Sequence, residues 1–178
     1  GAYNAPVWGS MNLQKVIVLT PYTRMYYGHF KDIITTTFNR AYMDRWIQHY
    51  GYMADQNYGA VSGIIDARGK YVLAQLPSGI AFAITTNNGA DFTVATASTT
   101  LQGTAPVEIA AMLLNGAPVA PTWSTITRWS LGVVLAPGVN RLELTGRDVH
   151  GVELDSTAIT VTSTANWDPP AIDIVVPA

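Results

Sequence analysis

The spacing of apolar residues changes once along this chain, at Pro77, Ser78 and Gly79. Before this point apolar side chains recur every three or four residues, as they do on one face of a helix. After it apolar and polar residues alternate, β-branched residues are frequent, and turn residues recur at intervals of about ten positions. The sequence therefore predicts a segregated α+β fold, in which a small N-terminal helical bundle precedes an antiparallel immunoglobulin-like β-sandwich.

Three amphipathic helices are predicted before the change, near residues 21–37, 40–54 and 60–76. Thr20 followed by Pro21 is typical of a helix start, Asn39 is suited to cap the second helix, and Pro77 stops the third. The apolar stripes of the helices are expected to form the core of the bundle. These stripes contain Tyr22, Met25, Tyr26, Phe30, Ile33, Ile34 and Phe38, then Tyr42, Met43, Trp46, Ile47, Tyr50 and Met53, then Val61, Ile64, Ile65, Arg68, Val72 and Leu76.

About seven or eight short strands are predicted from Ile80 onward, as in an immunoglobulin-type sandwich. Asn115-Gly116 predicts a hairpin, and residues 119–123 are predicted to form its returning strand. The strand before this hairpin is predicted to carry Val107, Ile109, Ala111 and Leu113 on one face. Other predicted strand faces carry Phe82 and Ile84, then Trp129, Leu131, Val133 and Leu135, then Leu142 and Leu144, and finally Ile159 and Val161.

The predicted domain organisation has a lead-in and helical subdomain at 1–79, a sandwich at 80–164, and a linker or edge strand at 165–178. Residues 1–79 carry seven Lys/Arg and four Asp/Glu, a net charge of +3, whereas residues 80–178 carry three Arg and eight Asp/Glu, a net charge of -5. Two explanations stand for this asymmetry. Either the opposite charges help the two parts associate, or the composition drifts between unrelated domains.

Composition excludes several classes of function. The chain has no cysteine, which excludes disulfides, thiolate nucleophiles and cysteine-based zinc sites. No apolar run approaches the ~20 residues that span a bilayer, so membrane insertion is not expected. Neither half holds a dense basic cluster, so nucleic-acid binding is not expected. Charged residues make up only 12% of the chain, and this low charge together with abundant Thr is common in secreted bacterial β-modules.

The order of several segments resembles known bacterial proteins. The helical half is similar to the C-terminal end of a spore-coat-protein-H-type (CotH) kinase-like domain, and the second half is similar to a bacterial immunoglobulin-like module. The first resemblance is carried by residues 21–27, 32–34, 38–46 and 64–73, and the second by residues 101–107, 114–116, 135–140 and 142–148. The resemblance implies a secreted or cell-surface protein whose signal peptide lies upstream.

The resemblance assigns no catalytic residue and no cofactor to this chain. The ATP-binding and catalytic motifs of the kinase-like family would lie upstream, since no Gly-rich phosphate loop, partnered Lys or metal-binding Asp motif occurs here. No Gly-x-Ser-x-Gly nucleophile elbow occurs either. His150 lies beside Asp148 and Glu153, and a solvated hairpin turn is the preferred explanation for this cluster over a general base. Glu108, Glu143, Glu153 and Asp155 are the candidate carboxylates for glycoside hydrolysis, but the sequence does not show their separation in space, and all are expected at outward strand or turn positions.

Two weak binding sites are predicted. Asn87, Asn88 and Asp91 offer oxygen ligands for calcium in a turn between strands, although a plain Asn-rich turn is the simpler explanation. Trp123 and Trp167 are candidates for an aromatic platform that binds carbohydrate, whereas Trp129 is expected in the core. No other metal site is predicted, because His29 and His49 form no ligand motif with the acidic residues near them, Asp32, Asp44 and Asp55.

The sequence thus predicts a non-catalytic structural or interaction segment of a larger secreted or cell-surface bacterial protein. Its expected partners are other domains of that polypeptide or subunits of an assembly. Two alternatives remain. The chain is a carbohydrate-binding β-sandwich with polysaccharide as its partner, or it is the C-terminal fragment of a kinase-like enzyme whose catalytic motifs lie upstream.

Overall fold

The computed structural model describes residues 15–165. Three helices come first: α1 at Thr20–Thr36, α2 at Arg40–Met53 and α3 at Gly59–Leu73. Residues 15–17 are also helical. None of the helices in this part of the chain is both long enough and apolar enough to cross a membrane.

The two predicted helix starts have different outcomes. Asn39 caps α2 as predicted, because its Oδ1 accepts a hydrogen bond from the N–H of Tyr42 at 3.0 Å. Pro21 lies in the first turn of α1, where its missing N–H costs nothing. Thr20 is not the cap, however, since it is already helical and Leu19 precedes it as the N-cap. Instead the hydroxyl of Thr23 donates back to the carbonyls of Ile17 and Leu19.

The helical part buries few hydrophobic residues. Ile34 of α1, Ile65 of α3 and Leu76 beyond α3 are buried, and Gly69 lets α3 approach the side chain of Ile34. The prediction that the apolar stripes form a closed core is wrong for much of their length, because three short helices cannot cover one another fully. Exposed members of the stripes are Tyr22, Met25, Ile33, Phe38, Tyr42, Tyr50, Met53, Val61 and Ile64.

Nine strands follow within the described residues. They are β1 (Ala83–Ile84), β2 (Phe92–Val94), β3 (Ser98–Thr104), β4 (Ala111–Leu114), β5 (Ala117–Val119), β6 (Thr122–Trp123), β7 (Arg128–Val134), β8 (Gly138–Arg147) and β9 (Glu153–Ser163). One sheet has the order β1-β3-β7-β6 and the other the order β2-β9-β8-β4-β5. Lettered in the immunoglobulin manner, these orders are A-B-E-D and A′-G-F-C-C′. The predicted fold class is therefore confirmed: a helical N-terminal part precedes an immunoglobulin-like sandwich.

The first strand of the sandwich is divided between the two sheets. β1 pairs antiparallel with β3, and β2 pairs parallel with β9. The chain changes sheets through a turn at Thr86–Gly89, where Asn87 and Asn88 both adopt left-handed backbone angles. Such a division helps to explain why the strands outnumber those predicted.

The sandwich core is closed and well packed. Its largest fully buried side chains are Trp129, Leu101, Ile109, Leu144 and Val161. Gly103 of β3 faces Trp129 of β7 in the ladder, and a Cβ on Gly103 would lie only 2.2 Å from the Trp129 ring. A glycine is thus required where the indole crosses the neighbouring strand.

Two details of the strand prediction are wrong. Val107 and Ile109 are buried in a loop that precedes β4, and within β4 the buried residue is Met112 rather than Ala111 or Leu113. Residues 119–123 do not form one strand, because β5 belongs to one sheet and β6 to the other. Pro121 lies between them, where its missing N–H interrupts ladder pairing.

Candidate functional site

The helical part is joined to the sandwich through one side of α1. Arg24, Gly28, Lys31 and Asp32 recur at helical spacing on this side, and each lies against the sandwich. The side is polar, whereas the apolar residue Met25 of the same helix is exposed. We call this contact the joint.

Arg24 is the centre of the joint and is only 4% exposed. Its Nη1 donates to the carbonyls of Ala105 at 3.1 Å and Ile126 at 2.7 Å. Its Nη2 donates to the carbonyls of Pro106 and Ile109, the latter at 2.7 Å. One guanidinium therefore satisfies four backbone acceptors from two loops of the sandwich, which its planar fork of donors allows and a lysine ammonium does not.

The Arg24 guanidinium is also covered by an aromatic ring and remains charged. Its central carbon lies 3.7 Å from the centroid of Trp123, in cation–π geometry. Burial lowers the pKa of Arg24 to about 10, and the nearby carboxylate of Glu108 opposes this shift. A pKa of about 10 keeps the cation protonated at neutral pH, so the loop carbonyls face a full positive charge.

Three further contacts flank Arg24. The backbone of Gly28 approaches so closely that an added Cβ would lie 2.7 Å from the carbonyl oxygen of Val107. Lys31 forms an ion pair with Glu108. On the other side of the joint, His150 Nε2 lies 2.9 Å from Asp32 Oδ1. These contacts fix the direction of α1 along the end of the sandwich.

Arg24 was not recognised as a site residue from the sequence. The apolar stripe of α1 lies on the opposite side of the helix, and the acceptors of Arg24 are 81 to 102 residues away along the chain. The sequence does contain one signal for this contact. Gly28 lies one helical turn from Arg24, so a second backbone can approach the helix closely at the glycine and bind the neighbouring cation.

The residues of the predicted calcium site are engaged in holding a turn. Asn87 Nδ2 donates to the carbonyls of Ala90 at 2.9 Å and Asp91 at 3.1 Å. Asp91 Oδ1 accepts the N–H of Thr160 at 2.7 Å, which ties the turn to β9. Asn88 lies beside them with a positive φ of 56°, which asparagine tolerates well. Calcium binding at Asn87, Asn88 and Asp91 stays a prediction.

Only Trp123 of the predicted carbohydrate platform lies within the described residues. Trp167 lies outside the described residues. Trp123 is half-buried, packs against the sandwich core, and has its ring covered by Arg24. Trp129 is buried in the core, where the sequence placed it. A sugar platform that includes Trp123 therefore requires the edge or the other face of its ring.

The remaining titratable candidates are dispersed. Among residues 15–165, no group of three or more His, Asp or Glu side chains lies close enough together to hold a metal ion. Glu108 pairs with Lys31, Glu143 with Arg141, and Asp148 Oδ1 accepts the N–H groups of His150 and Val152 within the hairpin turn.

A wide groove of about 740 Å³ lies beside α2 and the start of α3. Its polar residues are partly engaged already, since Asp44 accepts the hydroxyl of Ser62 and Asn57 Oδ1 accepts the N–H of Gly59. Asp44 also pairs with Arg40 at 3.5 Å. These contacts connect α2 to the beginning of α3.

Comparisons with known proteins are sparse. No family model matches the chain, and no curated protein matches it. Among solved structures, the chain is similar to a structure of the fibronectin(III)-like modules of Clostridium thermocellum CbhA, at 13% sequence identity and a TM-score of 0.36. That similarity covers 48% of this chain and 100% of the other.

Proposed function

We propose that this chain is a non-catalytic structural and interaction segment of a larger secreted or cell-surface bacterial protein. The observation that supports this most directly is the joint, in which buried Arg24 ties the helices to loops of a complete immunoglobulin-like sandwich. The chemistry of the joint is a guanidinium bound to backbone carbonyls. Such a site connects two parts of a molecule and supplies no nucleophile or general base.

The joined parts have different roles in this proposal. The sandwich acts as a spacer of fixed shape, and the helices carry the surface that contacts a partner. Exposed side chains such as Tyr50, Tyr71 and Ile64 support this division, because they leave apolar surface on the helices that a partner would bury. The partner is another domain of the same polypeptide or a subunit of an assembly.

In this proposal the helices form the end of a CotH-type kinase-like domain, and its catalytic motifs lie upstream of this chain. The gene sequence before Gly1 is the simplest check. A long upstream reading frame with a Gly-rich phosphate loop and a metal-binding Asp motif would support this relationship. An upstream frame with unrelated motifs would contradict it.

Methionine oxidation of the natural protein tests the interaction surface. Met25 and Met53 are exposed on the helices, and buried Met112 in the sandwich is the internal control. We expect Met25 and Met53 to be oxidised rapidly in the dilute isolated chain and more slowly in the natural protein, while Met112 stays slow in both. Equal oxidation of Met25 and Met53 in both samples would contradict an interaction role for the helices.

Antibodies raised against the sandwich test the location. They should label intact cells of the source bacterium, and labelling only after lysis would contradict a surface role.

Carbohydrate binding remains an alternative, and a polysaccharide panel tests it. Binding that is lost in both Trp123→Ala and Trp167→Ala would favour this alternative.

A further inference from the structure

One face of α2 is exposed, aromatic and regular. It consists of residues at helical spacing, namely Tyr42, Arg45, Trp46, His49, Tyr50 and Met53, and we call it the aromatic face. Tyr50 is 57% exposed and Met53 is 69% exposed, whereas Gly51 is the buried residue of this helix. Trp46 is half-buried and the other five residues are exposed, so the described part of the chain leaves most of this face uncovered.

Neighbouring side chains of the aromatic face contact one another. The guanidinium of Arg45 lies 4.7 Å from the centroid of Trp46. The rings of Trp46 and Tyr50 are stacked at 6.1 Å, with an interplanar angle of 25°. Trp, Tyr and Arg are the residues that dominate binding energy at protein interfaces, and side chains held in place before binding lose less entropy on association.

The charge of the aromatic face limits what can cover it. Arg45 forms no ion pair with any residue in 15–165, whereas Arg40, Lys31 and Lys70 are each paired with a carboxylate. The face itself contains no acidic residue. Its complement is a surface that presents carboxylates among exposed apolar side chains.

The hairpin between β8 and β9 presents such a surface. Val152, Glu153, Leu154 and Asp155 are consecutive exposed residues there, opposite an irregularity in the ladder between β8 and β9, and Leu154 also lines a cleft with Asp32 and Thr35 of α1. Neither carboxylate forms an ion pair within the described part of the chain. β2 pairs with β9 only at residues 161–163, so no described strand covers that edge of β9 beside residues 152–155. We call these four residues the acidic hairpin.

We propose that copies of this chain associate head to tail, with the aromatic face of one copy bound to the acidic hairpin of the next. α2 would then lie along the uncovered edge of β9 in the neighbouring copy, where side chains from both faces of the strand are within reach. Arg45 would be paired there with Glu153 or Asp155, and Trp46 and Tyr50 would cover the exposed apolar side chain beside it. The inference rests on the proposed interaction role of the helices and names their partner. Because the two surfaces differ, each bound pair keeps one free face and one free hairpin, and assembly continues to a ring or a filament.

Light scattering on the intact chain over a concentration series tests this association. We expect the mass to rise beyond a dimer with concentration, and to fall at high salt because the charges are then screened. Arg45→Glu and the double variant Glu153→Lys/Asp155→Lys are each expected to weaken association by more than about tenfold, since both place like charges opposite each other. Glu143→Lys, at an exposed position elsewhere in the sandwich, is the control and should associate as the unchanged chain does.

Mixing the two charge variants separates head-to-tail association from other modes. Arg45→Glu retains an intact hairpin and the double variant retains an intact aromatic face, and the reversed charges of the two variants also complement each other, so the mixture should recover the association that each variant lacks alone. Association that survives in the double variant would show face-to-face pairing and overturn the proposal. A monomer at all concentrations, or a chain that binds anionic vesicles without self-association, would overturn it as well. In those cases the oxidation rate of Met25 on α1 still tests the proposed function separately, because Met25 lies outside both the aromatic face and the acidic hairpin.

Discussion

The sandwich and the helical part of this molecule are stabilised in different ways. The sandwich encloses a continuous core that includes Trp129, Leu101 and Leu144, with loops folded over its end. The helical part buries little apolar surface of its own and is attached through a charged residue, Arg24, whose acceptors all belong to the sandwich. From this comparison we expect the sandwich to be stable by itself and the helices to depend on the joint for their position.

Because of this difference, substitutions in the sandwich core and substitutions at the joint should have different effects. Core substitutions in the sandwich should affect the whole molecule, because the loops that hold Arg24 follow directly from its strands. Substitutions at the joint should affect the helices and spare the sandwich. Four predictions follow this division, from the largest expected effect to the smallest.

Trp129→Ala should have the largest effect. It removes a side chain that is only 2% exposed, and truncation of a buried aromatic residue typically costs about 3–5 kcal/mol of unfolding free energy. Hydrogen exchange should show that both the sandwich and the helices lose protection. Ile65→Ala in α3 is the comparison, and it should reduce protection in the helices only. Loss confined to the helices in Trp129→Ala would contradict the dependence that we infer.

Arg24→Ala should detach the helices from a sandwich that stays folded. Four loop carbonyls lose their donor, and water replaces it only in part, so we expect a loss of about 2–3 kcal/mol in the docking of α1. Urea unfolding followed by hydrogen exchange should change from one transition to two. Arg24→Lys should weaken the docking of α1 less than Arg24→Ala does, because lysine keeps the charge but not the fork of donors. A single shifted transition in Arg24→Ala would show that the parts unfold together.

Gly28→Ala should weaken the joint sterically. The new Cβ would lie 2.7 Å from the carbonyl oxygen of Val107, and such overpacking typically costs about 1–3 kcal/mol. Gly63→Ala in α3 is a matched control, since no atom lies within 4 Å of its added Cβ. Both changes add the same helix propensity, so the difference between their unfolding midpoints isolates the steric cost. Equal stabilisation by both alanines would argue against close contact at Gly28.

The His150–Asp32 contact should give the joint a small dependence on pH. The hydrogen bond and the charge of Asp32 raise the pKa of His150 above its ordinary value. The stabilising contribution is therefore fully present below about pH 6.5, the unfolded value, and is lost as pH rises through the higher folded pKa. Protection of the α1 amides should fall modestly over this range.

Substitution at His150 identifies the source of this dependence. His150→Gln should remove the pH-dependent difference in α1 protection, whereas His29→Gln should retain it. The size of the effect will be limited, because His150 is exposed and surface ion pairs are weak. Persistence of the full dependence in His150→Gln would assign it to another group.

Much of the fold was predictable because its signals are local. Asn39 identified the start of α2, and the Asn115-Gly116 pair identified the hairpin between β4 and β5, where both residues have positive φ. Alternation placed Leu142 and Leu144 on the buried face of β8. The prediction was wrong at Val107 and Ile109, because these residues are buried by a loop that folds over the core and not by strand pairing.

The sequence by itself determined which segments form helices and which form strands, since spacing, caps and turns depend on neighbouring residues. Only the tertiary structure decided which side of α1 faces the sandwich. Arg24 binds backbone carbonyls, and a carbonyl is present at every residue, so the sequence does not identify which loops Arg24 contacts. The position of the helices therefore depends on contacts made by loops 81 to 102 residues away.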